Sequence, residues 1–258
     1  MRYFLELAYK GTKYHGWQVQ PNAVTVQEVM DDALNKAIRG EDIHIVGAGR
    51  TDTGVHASCF VAHIDVEKEI EDTDRIVHKL NRIIPDDVVV YSLTKVPDEA
   101  HSRFSAVERT YHYFLSTNRN PFHLDLVYRA PFDPDFEKMN RAAKILLEYT
   151  DFTSFSRLHT DVKTNNCKVS HAEWKPYKDM WVFTITADRF LRNMVRAVVG
   201  TLLDVGRGRM SIDEFRGVIE AKDRGRAGTS APAHGLFLAD IVYPSELFTP
   251  SGKLPKVF

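Results

Sequence analysis

The sequence predicts an α+β fold with two ferredoxin-like half-domains, each in the split β-α-β order, whose mainly antiparallel sheets abut around a central basic cleft. The first observation is that hydrophobic periodicity along residues 1–95 changes in the order strand, helix, two strands, helix, strand. The second is that the later part of the chain repeats this theme. The third is that no Gly/Ser-rich linker separates the two parts, which we expect to comprise residues 1–105 and 106–258.

The N-terminal half begins with a strand at residues 3–9, where the side chains alternate in strand fashion. A helix follows, because Thr25 and Glu28 form a capping-box pattern and apolar residues then recur at helical spacing up to Gly40. The other predicted elements of this half are strands at 42–47 and 58–65, a helix at about 74–84 that Pro85 ends, and a strand at 87–95.

The C-terminal half is predicted from the same two periodicities. Its longest helix has an apolar side that runs from Phe190 to Leu203. The other predicted elements are a strand at 108–117, a helix at about 135–148, strands near 167–175 and 180–187, and a closing strand at 236–243.

Composition limits the classes of function. The chain has 34 Lys and Arg against 35 Asp and Glu, which excludes coating nucleic acid by bulk charge but permits a local basic cleft. No apolar run reaches the roughly 20 residues that span a bilayer, and the N-terminus shows no signal-peptide pattern. Cys59, Cys167 and the eleven histidines show no metal-ligand spacing, so we expect a reduced, cytoplasmic protein without a metal.

The segment 47–57, Gly-Ala-Gly-Arg-Thr-Asp-Thr-Gly-Val-His-Ala, concentrates the residues that can do chemistry. A dinucleotide-binding loop is disfavoured, because Asp52 stands where the third glycine is needed and would repel a pyrophosphate. Asp52-Thr53-Gly54 also matches the short signature of aspartic proteases, which would require a homodimer with a proton shared between two carboxylates. A tight turn explains the glycines but does not require Arg50, Asp52 and His56 together.

This segment resembles the catalytic motif of the TruA-type tRNA pseudouridine synthases. Other stretches resemble further motifs of that family, keep their order and span almost the whole chain. They lie at residues 4–18, with Tyr14-His15-Gly16-Trp17-Gln18, at 26–28, at 104–113, at 190–202 and at 231–236. The segment 158–167 has no clear counterpart in the family.

The resemblance implies an isomerase that breaks the bond between uracil and ribose in tRNA, turns the base and rejoins it through carbon 5. Family members act on uridines 38–40 of the anticodon stem-loop, work as homodimers and use no cofactor. Two other functions stay open on the sequence: a catalytically silent RNA-binding module on the same fold, and the homodimeric aspartic protease.

The resemblance also assigns residues. Asp52 is the catalytic carboxylate, which attacks either the ribose or the uracil ring. Tyr111 contacts the uracil, Arg196 pairs with Asp52, and Arg50 holds the flipped nucleotide. Leu236 packs against the base or supports Tyr111. Basic residues that we expect to contact RNA phosphates are Lys10, Lys13, His15, Arg103, Arg109, Lys163, Lys168, Arg189 and Arg192.

Overall fold

The computed structural model of the chain describes residues 1–157, 164–255 and 257–258. These residues form two compact units, of which unit 1 comprises Met1–Val107 with Leu238–Phe258 and unit 2 comprises Glu108–Phe237. This grouping differs from the expected division into 1–105 and 106–258 at the C-terminus, because residues 238–258 belong with unit 1. Whether the halves are ferredoxin-like with a basic cleft between them stays a prediction.

The sheet of unit 1 is antiparallel and centred on β1 (Arg2–Tyr9). This strand pairs with β3 (His56–Asp65) on one side and with β4 (Val88–Val96) on the other, so that Leu5 lies opposite Ala62 and Leu93. The last strand, β9 (Leu236–Val242), lies beside β3, and its residues from Leu238 onward belong to this unit. All residues of β1 after Arg2 are buried, as expected for a central strand covered on both faces.

The C-terminal segment provides part of that cover. The rings of Tyr243 and Phe248 each pack 5.3 Å from the ring of Phe4. The buried carboxylate of Glu6 accepts hydrogen bonds from the hydroxyl of Ser92 at 2.5 Å and from the backbone N–H of Ser251 at 2.8 Å. These contacts join residues 243–251 to β1.

Two helices of unit 1 begin where the sequence predicts. Helix α1 (Val26–Ala37) is capped by Thr25, whose side chain accepts a hydrogen bond from the N–H of Glu28 at 3.3 Å. Helix α2 (Thr73–Asn81) is capped in the same way by Asp72. Because a side-chain acceptor at this position satisfies a backbone N–H that the helix itself leaves unpaired, each cap fixes a helix start.

The strand predicted at 42–47 is mostly absent, and only β2 (Val46–Gly47) forms there and pairs with β3. Side chains of α1 bind the backbone groups that a longer strand would have needed. Asn35 accepts from the N–H of Ile43 at 2.9 Å, and Asp31 accepts from the N–H of Ile45 at 2.7 Å. Periodicity along the segment cannot reveal these competing bonds.

The sheet of unit 2 contains β5 (Glu108–Ser116), β6 (Tyr128–Arg129), β7 (Val169–Tyr177) and β8 (Met180–Ala187). Strand β8 lies between β5 and β7 and is antiparallel to both, whereas the short β6 pairs in parallel with β5. Mainly antiparallel strands with helices therefore occur in each unit, and the predicted α+β class is confirmed.

Three helices complete unit 2: α3 (Phe136–Ile145), α4 (Met194–Gly206) and α5 (Ile212–Ala221). The apolar pattern predicted that Phe190 and Leu191 lie in α4, but the helix begins later because Asn193 adopts a left-handed conformation with φ 65°. Helix α5 is not among the predicted elements, although Ser211 and Glu214 form a complete capping box before it.

Within the described residues, no helix is both long enough and apolar enough to cross a membrane. Cys59 and Cys167 are both free thiols and both buried.

Burial of His63 makes the stability of unit 1 sensitive to acid. The ring is 3% exposed, its Nδ1 lies 2.8 Å from the hydroxyl of Ser102, and the ring of His101 is 4.6 Å away. Burial, and then the positive charge of Arg2, lower the pKa of His63 to about 4 from an ordinary 6.5. The folded chain disfavours the charged ring, so folding is favoured while the ring is neutral. This contribution of His63 to the free energy of unfolding is complete above pH 6.5.

The same contribution is lost as the pH falls from 6.5 to about 4. We expect the free energy of unfolding to decrease by up to about 3 kcal/mol over this range. Urea unfolding at several pH values measures the decrease, and His63→Gln should make the dependence shallower. An equal pH dependence in both proteins would contradict this assignment.

Candidate active site

The loop between β2 and β3 carries Asp52, and a buried histidine anchors its end. His56 is fully buried, and its Nδ1 accepts a hydrogen bond of 2.9 Å from the backbone N–H of Gly11. Because a histidine nitrogen that accepts must lack a proton, the ring is neutral and carries its proton on Nε2. His56 thus orders the loop, joining it to the segment that follows β1.

Hydrogen bonds also fix the residues on either side of Asp52. The hydroxyls of Thr51 and Tyr9 lie 2.9 Å apart in a buried setting. The N–H of Gly54 donates to the carbonyl of Tyr14 at 3.2 Å, and the N–H of Val55 closes a turn on the carbonyl of Asp52 at 3.1 Å. The half-buried Asp52 is therefore presented from a backbone that is held before and after it.

Two glycines allow this loop to approach the segment after β1. A Cβ added to Gly11 would lie 1.9 Å from the carbonyl oxygen of Val55, and one added to Gly16 would lie 2.2 Å from that of Thr51. Gly16 also has φ +87°, a conformation that side chains with a Cβ rarely adopt. Only glycine fits the two backbones together at these points.

Aromatic packing supports the same arrangement. The ring of Trp17 stacks on Phe60 of β3 with centroids 4.1 Å apart, and Tyr9 packs against Phe60 at 5.5 Å. A Cβ on Gly47 would lie 2.5 Å from the indole nitrogen of Trp17. Gly16 and Trp17 of the segment 14–18 therefore have a structural role beneath the loop.

Arg50 is exposed, whereas the adjacent Thr51 is buried. Within the residues that the structure describes, its guanidinium makes no ion pair with Asp or Glu. An exposed, uncompensated guanidinium two residues from the carboxylate of Asp52 is suited to contacting a phosphate or a base.

In unit 2, Tyr111 lies on β5 and is half-buried. Its ring meets Phe190 edge-on, with centroids 5.0 Å apart and an angle of 85°. Tyr113, two residues on and so on the same face, is buried and donates a hydrogen bond of 3.0 Å to the carbonyl of Pro232. Burial raises the pKa of Tyr113 well above its usual value, so this hydroxyl stays protonated as a structural donor.

Arg196 and Leu236 are positioned by the segment 231–235. The Nε of Arg196 donates to the carbonyl of Ala231 at 2.8 Å, and the N–H of Ala231 donates back to the carbonyl of Arg196 at 2.9 Å. Leu236 is buried directly after Gly235, where a Cβ would lie 2.9 Å from the ring of Tyr113. The predicted ion pair between Arg196 and Asp52 joins residues of different units and stays a prediction.

The basic residues expected to contact phosphates divide between the units. Lys10, Lys13, His15 and Arg103 belong to unit 1, and Arg109, Lys168, Arg189 and Arg192 belong to unit 2. Lys163 lies outside the described residues. Most are exposed, whereas Arg109 and Arg189 are half-buried.

Several of these side chains already have partners within their units, as Arg109 and Lys13 illustrate. The Nη1 of Arg109 donates to the carbonyl of Asp188 at 2.9 Å. The ammonium of Lys13 lies 3.4 Å from the carboxylate of Asp87, although Lys13 is 81% exposed. Because its own side chain is largely exposed, Lys13 stays available to an RNA phosphate.

Asp87 is a site residue that no sequence pattern indicates. Its carboxylate accepts a hydrogen bond of 2.5 Å from the hydroxyl of Tyr14, and its carbonyl accepts from the N–H of Lys10 at 2.8 Å. These bonds hold the segment 10–14 that supports the loop of Asp52.

Among the described residues, no three His, Cys, Asp or Glu side chains are grouped so that they could hold a metal ion.

The family model and the known proteins that match this chain indicate the same family. A family model described as tRNA pseudouridine synthase matches residues 7–105 and 142–244. The chain is 58% identical over 247 residues to tRNA pseudouridine synthase A of Parabacteroides distasonis, which covers 96% of this chain and 98% of that protein. It is 56% identical over 248 residues to the protein of the same name from Bacteroides fragilis, covering 96% and 98%. The identity to the one from Bacillus subtilis is 39% over 246 residues, covering 94% and 99%.

Proposed function

The chain belongs to the tRNA pseudouridine synthase family, and on this premise we propose that it acts on uridines 38–40 of the tRNA anticodon stem-loop with Asp52 as the catalytic carboxylate. As a member of this family it is an isomerase that converts uridine to pseudouridine in tRNA. Membership of this family explains the sequence Asp52-Thr53-Gly54. The alternative of an aspartic protease, which needs a proton shared between two carboxylates, is therefore not required.

The observation that carries the proposal is the support of the Asp52 loop. Hydrogen bonds of the loop with Tyr9, Gly11 and Tyr14 hold it on both sides of the carboxylate. A carboxylate is charged at neutral pH and can act as a nucleophile or as a base. Because its backbone is fixed before substrate arrives, little ordering remains to be done in the reaction.

The chemistry replaces a C1′–N1 bond by a C1′–C5 bond and a C5–H bond by an N1–H bond. As the bond between uracil N1 and ribose C1′ breaks, Asp52 acts in one of three ways: it adds to C1′ and is displaced when C5 bonds there, it takes a ribose proton that returns when C5 bonds to C1′, or it adds to the uracil ring and is later eliminated. The base turns, C5 bonds to C1′, the C5 proton leaves to a base, and N1 takes a proton. The reaction needs no net oxidation or reduction.

Other residues have proposed roles in the same reaction. Tyr111 stacks on the uracil, and its hydroxyl receives or relays the C5 proton. Arg196 orients Asp52, and Leu236 packs against the base or supports Tyr111. Extruding a paired uridine costs a few kcal/mol, and Arg50 offsets part of that cost by holding the flipped nucleotide or filling its space. The basic residues of both units bind phosphates.

The proposed oligomeric state is based on the family, and the proposed cellular location is based on the two cysteines. We propose a homodimer in which one tRNA contacts both subunits. Free, buried Cys59 and Cys167 fit a reducing compartment, and we propose the cytoplasm. Sedimentation with and without tRNA tests the dimer directly.

The position of the target uridine can be tested with tRNA transcripts labelled with tritium at uracil C5. C5 must lose its hydrogen when pseudouridine forms, so tritium release reports the reaction. We expect release from transcripts that keep a uridine at any one of positions 38, 39 and 40. A transcript without uridine at these positions, but with all its other uridines, is the control and should release none. Release from the control would place the target elsewhere.

A further inference from the structure

Unit 2 contains a pocket of about 550 Å³ that the assigned residues do not use. It is lined mainly by residues of the segment 116–129, together with His234. Its volume is within the range of about 300–1,000 Å³ that is typical of small-ligand sites. The pocket is large enough for one nucleotide.

The loop that forms the pocket is held by its own hydrogen bonds. The side chain of Asn120 accepts from the N–H of Phe122 at 3.0 Å, and the hydroxyl of Ser116 accepts from the N–H of Asn118 at 3.1 Å. The N–H of Val127 donates to the carbonyl of His123 at 3.0 Å. The pocket is therefore part of the fold and needs no ligand to order it.

The lining of the pocket carries positive charge. Arg119 and Arg129 are both exposed, and neither makes an ion pair within the described ranges. No Asp or Glu among the described residues lines the pocket. The carboxylates of Asp179 and Asp125 lie nearby without lining the pocket. Two free guanidinium groups at one cavity suit a phosphate ligand.

Flat rings lie beside these charges. Tyr128 and the imidazoles of His123 and His234 line the pocket, and the rings of Tyr128 and His234 are 6.2 Å apart. RNA-binding proteins hold unstacked bases on aromatic side chains and bind the adjoining phosphates with arginine. Rings next to unpaired arginines therefore favour a nucleotide over a purely apolar ligand.

The pocket lies along the strand that carries Tyr111. Tyr111, Tyr113 and Leu115 share one face of β5, and Leu115 lies opposite Tyr128 in the pairing with β6. Four residues of strand separate Tyr111 from Leu115 by about 13 Å. The ring of Tyr113 is 6.3 Å from that of Tyr128. A few nucleotides of single-stranded RNA can span this distance.

We propose that this pocket binds an unpaired nucleotide of the tRNA a few positions from the target uridine, with its base against Tyr128 and its phosphates on Arg119 and Arg129. The inference rests on the proposed function, because it takes tRNA as the ligand. It adds a second point of recognition that holds the substrate strand while the target uridine is turned.

The first test removes the charges. Arg119→Ala/Arg129→Ala should raise KM for a tRNA transcript about tenfold and leave kcat within twofold. The slope of log Kd against log salt should fall by about 1.5, since each phosphate contact contributes roughly 0.7–0.9. The matched control is Arg141→Ala/Lys144→Ala, which removes two exposed charges from α3 outside the pocket. An unchanged KM, or an equal rise in the control, would overturn the proposal.

The second test fills the cavity and keeps the charges. Asn118 lines the pocket and is exposed, so Asn118→Trp can occupy the space of a base. We expect a KM increase of about tenfold, with an unchanged thermal unfolding midpoint. A wild-type KM would show that no base enters.

Direct binding separates this proposal from the proposed function. If the wild type forms pseudouridine and both pocket variants behave like it, the pocket proposal fails alone. If the wild type releases tritium from the transcript without uridine at 38–40, while both pocket variants bind tRNA more weakly than the wild type, the proposed function fails and the pocket proposal stands.

Discussion

Asp52→Asn is expected to reduce tritium release from C5-labelled tRNA by about 1,000-fold or more and to leave tRNA affinity within about threefold. An amide is neither a nucleophile nor a base at neutral pH, whereas it has nearly the shape of the carboxylate. The hydrogen bonds through Thr51, Gly54 and His56 do not use this side chain, so the loop should keep its position. The measurement pairs single-turnover tritium release with equilibrium binding of the same tRNA.

The matched control for this prediction is Asp32→Asn. Asp32 is an exposed carboxylate on α1 that pairs with Lys36 one helical turn away. Losing such a pair costs about 0.3–0.5 kcal/mol, so activity should be unchanged. Equal release by wild type and Asp52→Asn would remove Asp52 from the centre of the reaction. No release by the wild type, with intact binding, would favour a silent RNA-binding module.

Gly11→Ala is expected to lower kcat about 100-fold, although Gly11 touches no reacting atom. Its new Cβ would lie 1.9 Å from the carbonyl oxygen of Val55 and 2.7 Å from the carbonyl carbon. Both contacts are with backbone, so the loop must move. Val55 donates its N–H to Asp52, and a displacement of the catalytic group by about 1 Å can cost about 100-fold.

The control separates displacement from loss of fold. Gly217→Ala lies in α5, where an added Cβ meets nothing within 4 Å, and it should keep activity and slightly raise stability. Activity of Gly11→Ala is measured well below its unfolding midpoint, together with tRNA affinity, which should change little. If kcat stays within threefold of wild type, the loop does not depend on this close approach.

Elements determined by residues close together in sequence could be predicted, whereas those that depend on other contacts or on one residue's conformation could not. Helix α1 could be predicted because its cap at Thr25 and its apolar spacing are neighbours in sequence. The prediction of a strand at 42–47 was mostly wrong, because the side chains of Asn35 and Asp31 in the preceding helix accept hydrogen bonds from backbone N–H groups of this segment. The start of α4 was wrong because one residue, Asn193, takes a left-handed conformation that the apolar pattern does not encode.

The candidate site follows the same division. The motif at 47–57 indicated Asp52 through its resemblance to the catalytic motif of a known family, and a tight turn alone does not require Arg50, Asp52 and His56 together. The anchors of that loop join residues about 40 positions apart, such as Tyr9 with Thr51 and Gly11 with His56, and no local pattern pairs them. Asp87, which holds Tyr14, is further still in sequence. The motif could be recognised in the sequence, whereas the contacts that hold its loop could be found only in the structure.

The path of the chain through the two units has a consequence for synthesis on the ribosome. Unit 2 is continuous from Glu108 to Phe237, whereas unit 1 takes its last strand residues from 238 onward. Since chains emerge from the N-terminus, the inserted unit can fold while the first unit still lacks the strand beside β3. Emergence of residues 238–251 supplies that strand and the contact of Ser251 with Glu6. A stop codon shortly after residue 237 would therefore damage the N-terminal unit first, leaving a nascent edge of β3 open to aggregation.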